Sequence, residues 1–227
     1  MNQLIAFGSS PIMAFNNAVP YPKIISDRLG MKYNSQAKPL TSNSKIARKI
    51  LTYSDYGPGD MVLVSWTSTT RSEFRTEHGW AATNLNTYQP GSGFEEHWYQ
   101  GPGKWEYTGV STALKEMVLA QSFLQSRDIP YVFLFDNNEV LHSCWYQEPD
   151  AYIGGIISSI DQSKIATFNG QGFVPWCEAQ GYSRVQGNHF DTPAHEHAAN
   201  IISAHFRSGV ANSKPEAEAA HSVLRLS

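Results

Sequence analysis

Met1-Asn-Gln-Leu4-Ile-Ala-Phe7-Gly8-Ser9-Ser10-Pro11 opens the chain. Leu4 to Phe7 reads as a short apolar strand that runs straight into a Gly-Ser-Ser turn. In an open α/β sheet, ligands and chemistry sit just past the carboxyl ends of the strands. A serine that follows a glycine at such a point presents its hydroxyl to a cleft, which makes Ser10 a candidate nucleophile. The plainer alternative is that this hydroxyl only caps the segment that follows.

Working outward, strands and helices alternate. A helix is expected between Pro20–Pro22 and Gly30, with Ile24, Ile25 and Leu29 on its apolar face. Met31 to Asn34 suits a short second strand. Ser42 or Asn43 suits an N-cap, followed by Ile46, Ile50 and Leu51 on one helical face. Met61-Val-Leu-Val-Ser65-Trp66 is a near-continuous apolar run of the kind found in buried parallel strands. Ser111 to Gln125 is an amphipathic helix, and Ile129 to Phe135 is the next buried strand, ending at Asp136. A helix is expected within 139–165 despite Gly154-Gly155, then a loop over Phe168–Gly181, then a helix over Thr192–Phe206. Asn212-Ser213-Lys-Pro215 caps a short C-terminal helix.

The alternation predicts an α/β protein: a single doubly wound, flavodoxin-like, three-layer domain over residues 1–227 with a parallel sheet. Residues 67–110 are too long for an ordinary connection and are rich in glycine and aromatics, including Phe74, Trp80, Tyr88, Phe94, Trp98, Tyr99, Trp105 and Tyr107. They read as an insertion or lid after the third strand. Residues 208–227 read as a helical tail.

Composition narrows the function classes. Of 227 residues, 41% are hydrophobic and 16% charged, with a net charge of −3. No overall basic surface attracts nucleic acid. No run approaches the roughly 18 apolar residues of a membrane span, and the N-terminus lacks the pattern of a secretory signal. A soluble cytoplasmic protein is the expectation, and packaging into a virion would leave no trace in the sequence. Cys144 and Cys177 form neither a disulfide scaffold nor a CxxC pair. There is no P-loop or dinucleotide fingerprint. His189, Asp191, His195 and His197 are metal-ligand types, but His195 and His197 are two apart on a helix and point to different sides. Neither a metal nor a cofactor is expected, and the oligomeric state is not legible.

Four segments, in order, resemble the blocks of the SGNH/GDSL-type hydrolase superfamily, especially its divergent phage-encoded branch. They are Gly8-Ser9-Ser10; Asn34-x-x-Ala37-x-x-Leu40-x-Ser42-Asn43-x-x-Ile46-x-Arg48; Val62-Leu-Val-Ser65-Trp66-Thr67-Ser68 with Arg71-Ser-Glu73; and Gly187-Asn-His189-Phe-Asp191-Thr-Pro-Ala-His195. The resemblance implies Ser10 as nucleophile and His189 as base, acting on a small-molecule or carbohydrate ester. It implies oxyanion donors at the Leu40 N–H, where the family has glycine, and at Thr67, where the family has asparagine, with Asn43 as an alternative donor. The family's acid two or three residues before the histidine is replaced by Gln186 and Gly187. Trp66, Arg71, Glu73 and Asp136 are candidates for the substrate side of the cleft, although Arg71 and Glu73 could equally form a plain ion pair. The competing expectation is a binding or structural protein that keeps the fold without the chemistry.

Overall fold

The computed structural model describes residues 1–76, 79–84, 104–142 and 150–212. In chain order the elements are β1 (Gln3–Phe7), α1 (Tyr21–Arg28), β2 (Lys32–Ser35), α2 (Asn43–Thr52), β3 (Met61–Trp66), β4 (Arg71–Thr76), β5 (Gly79–Asn84), α3 (Lys104–Gln125), β6 (Tyr131–Phe135), α4 (Ala151–Ser158), α5 (Phe173–Ala179), β7 (Arg184–Gln186), β8 (His189–Phe190) and α6 (Thr192–Asn212). A 3-10 turn, Ser10–Ile12, follows β1, and a second, Gln162–Lys164, follows α4.

The central sheet has the order β2-β1-β3-β6, and every pairing is parallel. Ile165 adds an isolated parallel bridge to Phe133, and the Ala166 N–H donates to the Phe133 carbonyl at 2.9 Å. That bridge marks the place of a fifth strand, so the order is the flavodoxin-like one. The inner strands are apolar on both faces because helices cover both. Ile5, Phe7, Val62, Val64, Phe133 and Phe135 face α2, α3 and α4. Leu4, Ala6, Leu63, Val132 and Leu134 face α1, α5 and α6. Each fully buried Val, Leu, Ile or Phe contributes about 1.5–3 kcal/mol of hydrophobic stabilisation.

The expected three-layer α/β architecture is the observed one, and several local features differ from expectation. The helix expected from Ser111 already begins at Lys104, so the segment between β3 and α3 is shorter than 67–110. It opens with the antiparallel β4–β5 hairpin. Phe168–Gly181 is more than a loop: α5 lies within it, burying Phe173, Val174, Trp176 and Cys177. Gly170, Gly172 and Gly181 mark turns around this one short helix, and they conceal its apolar face in the sequence. The helix expected in 139–165 is α4, capped by the Asp150 carboxylate, which accepts from the Ile153 N–H at 2.8 Å. Burial of Ile153 holds it despite its glycines. Cys177 is a free, buried thiol whose pKa burial pushes up. Cys144, Tyr88, Phe94, Trp98, Tyr99 and the helix expected after Asn212 lie outside the described residues, as do the side chains of Phe74, Trp80 and Trp105. Among the described residues, no helix is long and apolar enough to cross a membrane.

Two glycines give opposite predictions. A Cβ on Gly172 would lie 2.6 Å from the Asn137 carbonyl oxygen and 2.8 Å from its nitrogen, both backbone atoms. Gly172→Ala is therefore expected to destabilise by about 1–3 kcal/mol. Gly155 lies within α4 with open space around it, so Gly155→Ala is expected to stabilise by about 0.5–1 kcal/mol. Urea unfolding of the two variants checks both signs.

Candidate active site

The strand ends converge on one buried carboxylate. Asp136, directly after β6, is 1% exposed. Its Oδ2 accepts from the Ser9 hydroxyl at 2.5 Å, and its Oδ1 accepts from the Ser65 hydroxyl at 2.6 Å. The Thr67 hydroxyl donates to Ser9 Oγ at 3.3 Å, and Arg71 Nη1 donates to Thr67 Oγ1 at 2.8 Å. The donors therefore run in series from Arg71 through Thr67 and Ser9 to Asp136. Such chains polarise one another in a low-dielectric interior. The backbone of Asp136 joins too: its N–H donates to the Trp66 carbonyl at 2.7 Å, and its carbonyl accepts from Val174 N–H at 2.9 Å. Burial pushes the Asp136 pKa up to about 6, against the pull of its serine hydrogen bonds and of Arg71.

This network fixes the turn that carries Ser10. Gly8 is held close: a Cβ there would meet Ile12 Cδ1 at 2.7 Å and the Ser65 carbonyl at 3.0 Å. Ser9 is fully buried, whereas Ser10, the first residue of the 3-10 turn, is half-buried. Ser10 Oγ has no hydrogen bond to any described residue.

The segment after β2 is tied to the same turn. The Lys38 N–H donates to the Gly8 carbonyl at 3.2 Å, and the Thr41 hydroxyl donates to the Lys38 carbonyl at 2.7 Å. Leu40, between them, is 60% exposed and has φ +51°, the left-handed region that favours glycine. Asn43 clamps Thr67 through both polar atoms of its side-chain amide: Nδ2 donates to the Thr67 carbonyl at 3.1 Å, and Oδ1 accepts from the Thr67 N–H at 2.8 Å.

His189 comes from the opposite side. It lies on β8, the second strand of a small hairpin in which it pairs with Gln186 across a turn through Gly187 at φ +52°. β8 packs against the 3-10 turn of Ser10, which brings the two segments together. The imidazole stacks on Phe15 with ring centroids 4.2 Å apart and planes at 19°. Partial burial lowers its pKa. Asp191 caps α6, its Oδ1 accepting from the Ala194 N–H at 3.3 Å.

The remaining candidates fall in different places. Trp66 is fully buried against Phe133, with centroids 5.3 Å apart, so its ring lies in the core rather than on a cleft wall. Asp136 is likewise interior. Glu73 pairs with Arg48 at 2.8 Å, its side chain 2% exposed, and ties β4 to α2. Burial raises its pKa more than Arg48 lowers it. Arg71 reaches Thr67. His195 is 2% exposed: it stacks on Phe173, its Nδ1 accepts the Tyr21 N–H at 3.3 Å, and its pKa falls to about 4 through burial and proximity to His189. His197 Nδ1 instead meets the Tyr182 hydroxyl at 2.7 Å. No group of three metal-ligand side chains gathers among the described residues. Sequence reasoning missed Ser9 and Ser65. Their signal is weak: each is a serine at or near the end of an apolar run, and the aspartate that both serve is 127 and 71 positions away in the chain.

No protein-family model and no curated protein matches the chain. Solved structures do. The psychrotrophic esterase EstA from a Pseudoalteromonas species superposes with a TM-score of 0.53 over 92% of this chain and 99% of that chain, at 9% identity. The lipase/acylhydrolase from Enterococcus faecalis superposes with a TM-score of 0.51 over 92% of this chain and 96% of that chain, also at 9% identity. The chain shares the fold of these two hydrolytic enzymes. At these identities the likeness is one of fold, and in this chain the strand-end turn of β1 holds Ser10.

The buried carboxylate generates a pH prediction. The native state holds a proton on Asp136 up to about pH 6, whereas the unfolded chain releases it near 3.8. Stability contributed by this group is therefore complete below that lower value, falls as pH rises towards about 6, and is level above it. Asp136→Asn removes this slope. Urea unfolding of both proteins at several pH values across that window should show the wild type losing stability relative to the variant as pH rises, by on the order of 2–3 kcal/mol.

Proposed function

We propose that the protein is a serine ester hydrolase in which Ser10 is the nucleophile and His189 the general base. The observation that carries this reading is the packing of β8, which bears His189, against the 3-10 turn that begins with Ser10, at the strand ends of an SGNH-type fold. Ser10 Oγ attacks the acyl carbon while His189 takes its proton. The tetrahedral intermediate collapses as His189 returns that proton to the leaving alkoxide. Water then attacks the acyl-enzyme by the same route, releasing the carboxylic acid.

The developing oxyanion is held by the N–H groups of Ser10 and Leu40. The positive φ of Leu40 supports this role, because an unfavourable backbone conformation held by surrounding hydrogen bonds marks a constrained site. The Thr67 hydroxyl has one proton, and it is directed at Ser9. Thr67 and Asn43 therefore support the hole chiefly by fixing the loop. Arg71, seated on Thr67, supplies positive charge on that side and suits a polar or anionic substituent on the substrate. The substrate class is a small-molecule or carbohydrate ester, acylated sugars among them, supported by the many aromatics in the segment after β4.

One observation favours a second reading. Gln186, rather than a carboxylate, stands across the hairpin from His189, and orientation by an acid contributes up to about 10⁴ in rate in a triad. In that reading the protein is a binding or structural module, a component of a phage particle being the form that the sequence resemblance suggests.

A fluorophosphonate probe separates the two. The hydrolase reading expects covalent labelling at Ser10, hydrolysis of p-nitrophenyl acetate, and loss of both by at least about 100-fold in Ser10→Ala. Activity that survives Ser10→Ala unchanged overturns the mechanism, and a wild type inert to probe and ester supports the binding module. Gln186→Glu places a carboxylate at the cross-strand position, within about 4.5–5.5 Å between Cβ atoms. It is expected to raise the His189 pKa and the labelling rate together, read by NMR titration and by probe kinetics.

A further inference from the structure

The base in this site lacks the carboxylate that ordinarily orients an imidazole, yet its ring is not left loose. Phe15 lies face to face with His189 at a centroid separation of 4.2 Å and an angle of 19°. The loop that carries Phe15 is built to hold it. Phe15 and Ala18 close a tight turn, with the Ala18 N–H donating to the Phe15 carbonyl at 2.9 Å. The two central residues, Asn16 and Asn17, both have positive φ, 45° and 66°. That combination is the type I′ turn, which asparagine tolerates and most residues do not.

Both ends of the loop are anchored at the site. The Met13 N–H donates to the Ser10 carbonyl at 3.0 Å, and the Val19 N–H donates to Thr192 Oγ1 at 3.3 Å, three residues past His189. Phe15 is thereby suspended between the segment of the nucleophile and the segment of the base.

We propose that Phe15 is the positioning residue for His189, holding the plane of the imidazole by stacking where a triad uses a carboxylate. The proposal rests on the reading of His189 as general base. A stacked pair of rings is favoured beyond the area it buries. That resists tilting of the ring while leaving both nitrogens free along its edge. Among the described residues, neither His189 nitrogen has a hydrogen-bond partner, so stacking is the contact that sets the ring's plane. It orients without supplying charge, so it cannot stabilise the imidazolium as a carboxylate does.

The ionisable groups nearest the ring are few. The loop of residues 13–19 and the 3-10 turn of Ser10 carry none. Asp191 is engaged with Ala194 N–H, His195 is buried and neutral, and Arg184 across the hairpin lies over Phe190, its Cζ 5.6 Å from that ring's centroid. Burial lowers the His189 pKa, and removing the phenyl ring should let it rise towards its ordinary value.

The test uses the full chain and needs no knowledge of the substrate. Rates of fluorophosphonate labelling at Ser10 are measured for the wild type, Phe15→Ala, Phe15→Leu and Phe15→Tyr, alongside NMR titration of His189 and circular dichroism. Phe15→Ala and Phe15→Leu are expected to label about 10-fold more slowly, with folds intact and the His189 pKa raised in Phe15→Ala. Phe15→Tyr, which keeps a ring to stack, is expected to retain the wild-type rate. Leucine fills the volume without stacking, so a Leu variant as fast as the wild type overturns the proposal. Equal labelling by Phe15→Ala and the wild type overturns it as well, while leaving the hydrolase reading intact. A wild type that does not label at all overturns both, and an unchanged His189 titration in Phe15→Ala removes the stack itself.

Discussion

The strand-end turns after β1, β3 and β6 lean on one carboxylate that solvent does not reach. Asp136 joins the ends of β1, β3 and β6 through Ser9, Ser65, the Trp66 carbonyl and the Val174 N–H. An unpaired polar group at this depth would cost far more than an ordinary hydrogen bond contributes. The partners are therefore constrained as a set. If one serine moves, a carboxylate oxygen loses its donor inside the protein. That constraint holds the Gly8-Ser9-Ser10 turn in a single geometry, and the same chain of donors reaches outward through Thr67 to Arg71.

The division of labour at the turn follows from it. Ser9 points inward and is used for structure, and Ser10 is left half-buried. Adjacent serines with similar chemistry thus take opposite roles because the chain reverses between a strand and a 3-10 turn. On the far side, His189 reaches the site on a two-stranded hairpin, packed against that turn and stacked on a phenyl ring. The Ser10 turn is held by buried hydrogen bonds. The His189 hairpin is held by stacking and by a tight asparagine turn.

The sheet and its layers were legible in the sequence because the inner strands are buried on both faces. Val62 to Val64 and Val132 to Phe135 could only be continuous apolar runs, and the polar, glycine-marked stretches between them could only be connections. Helix boundaries were less legible. Lys104 to Val110 has little amphipathic pattern and becomes helical because it continues α3, and Gly109 fits where a Cβ would lie 2.6 Å from the Thr69 carbonyl oxygen. α5 was hidden among glycines that punctuate its flanks.

For the site, the sequence by itself determined the short-range features: a serine after a strand-end glycine, a histidine ahead of a helix, and the absence of an acid before that histidine. These depend on spacing of a few residues and survive without any knowledge of packing. Only the tertiary structure decided that Asp136 and Trp66 lie in the interior, that the Thr67 proton is directed to Ser9, that Asn43 clamps Thr67, and that Phe15 covers His189. Those pairings join residues far apart in the chain, from 24 positions for Asn43 and Thr67 to 174 for Phe15 and His189. Local patterns carry no record of contacts at that range. They arise when parallel strands, each returning through a helix, bring their carboxyl ends to one edge of the sheet.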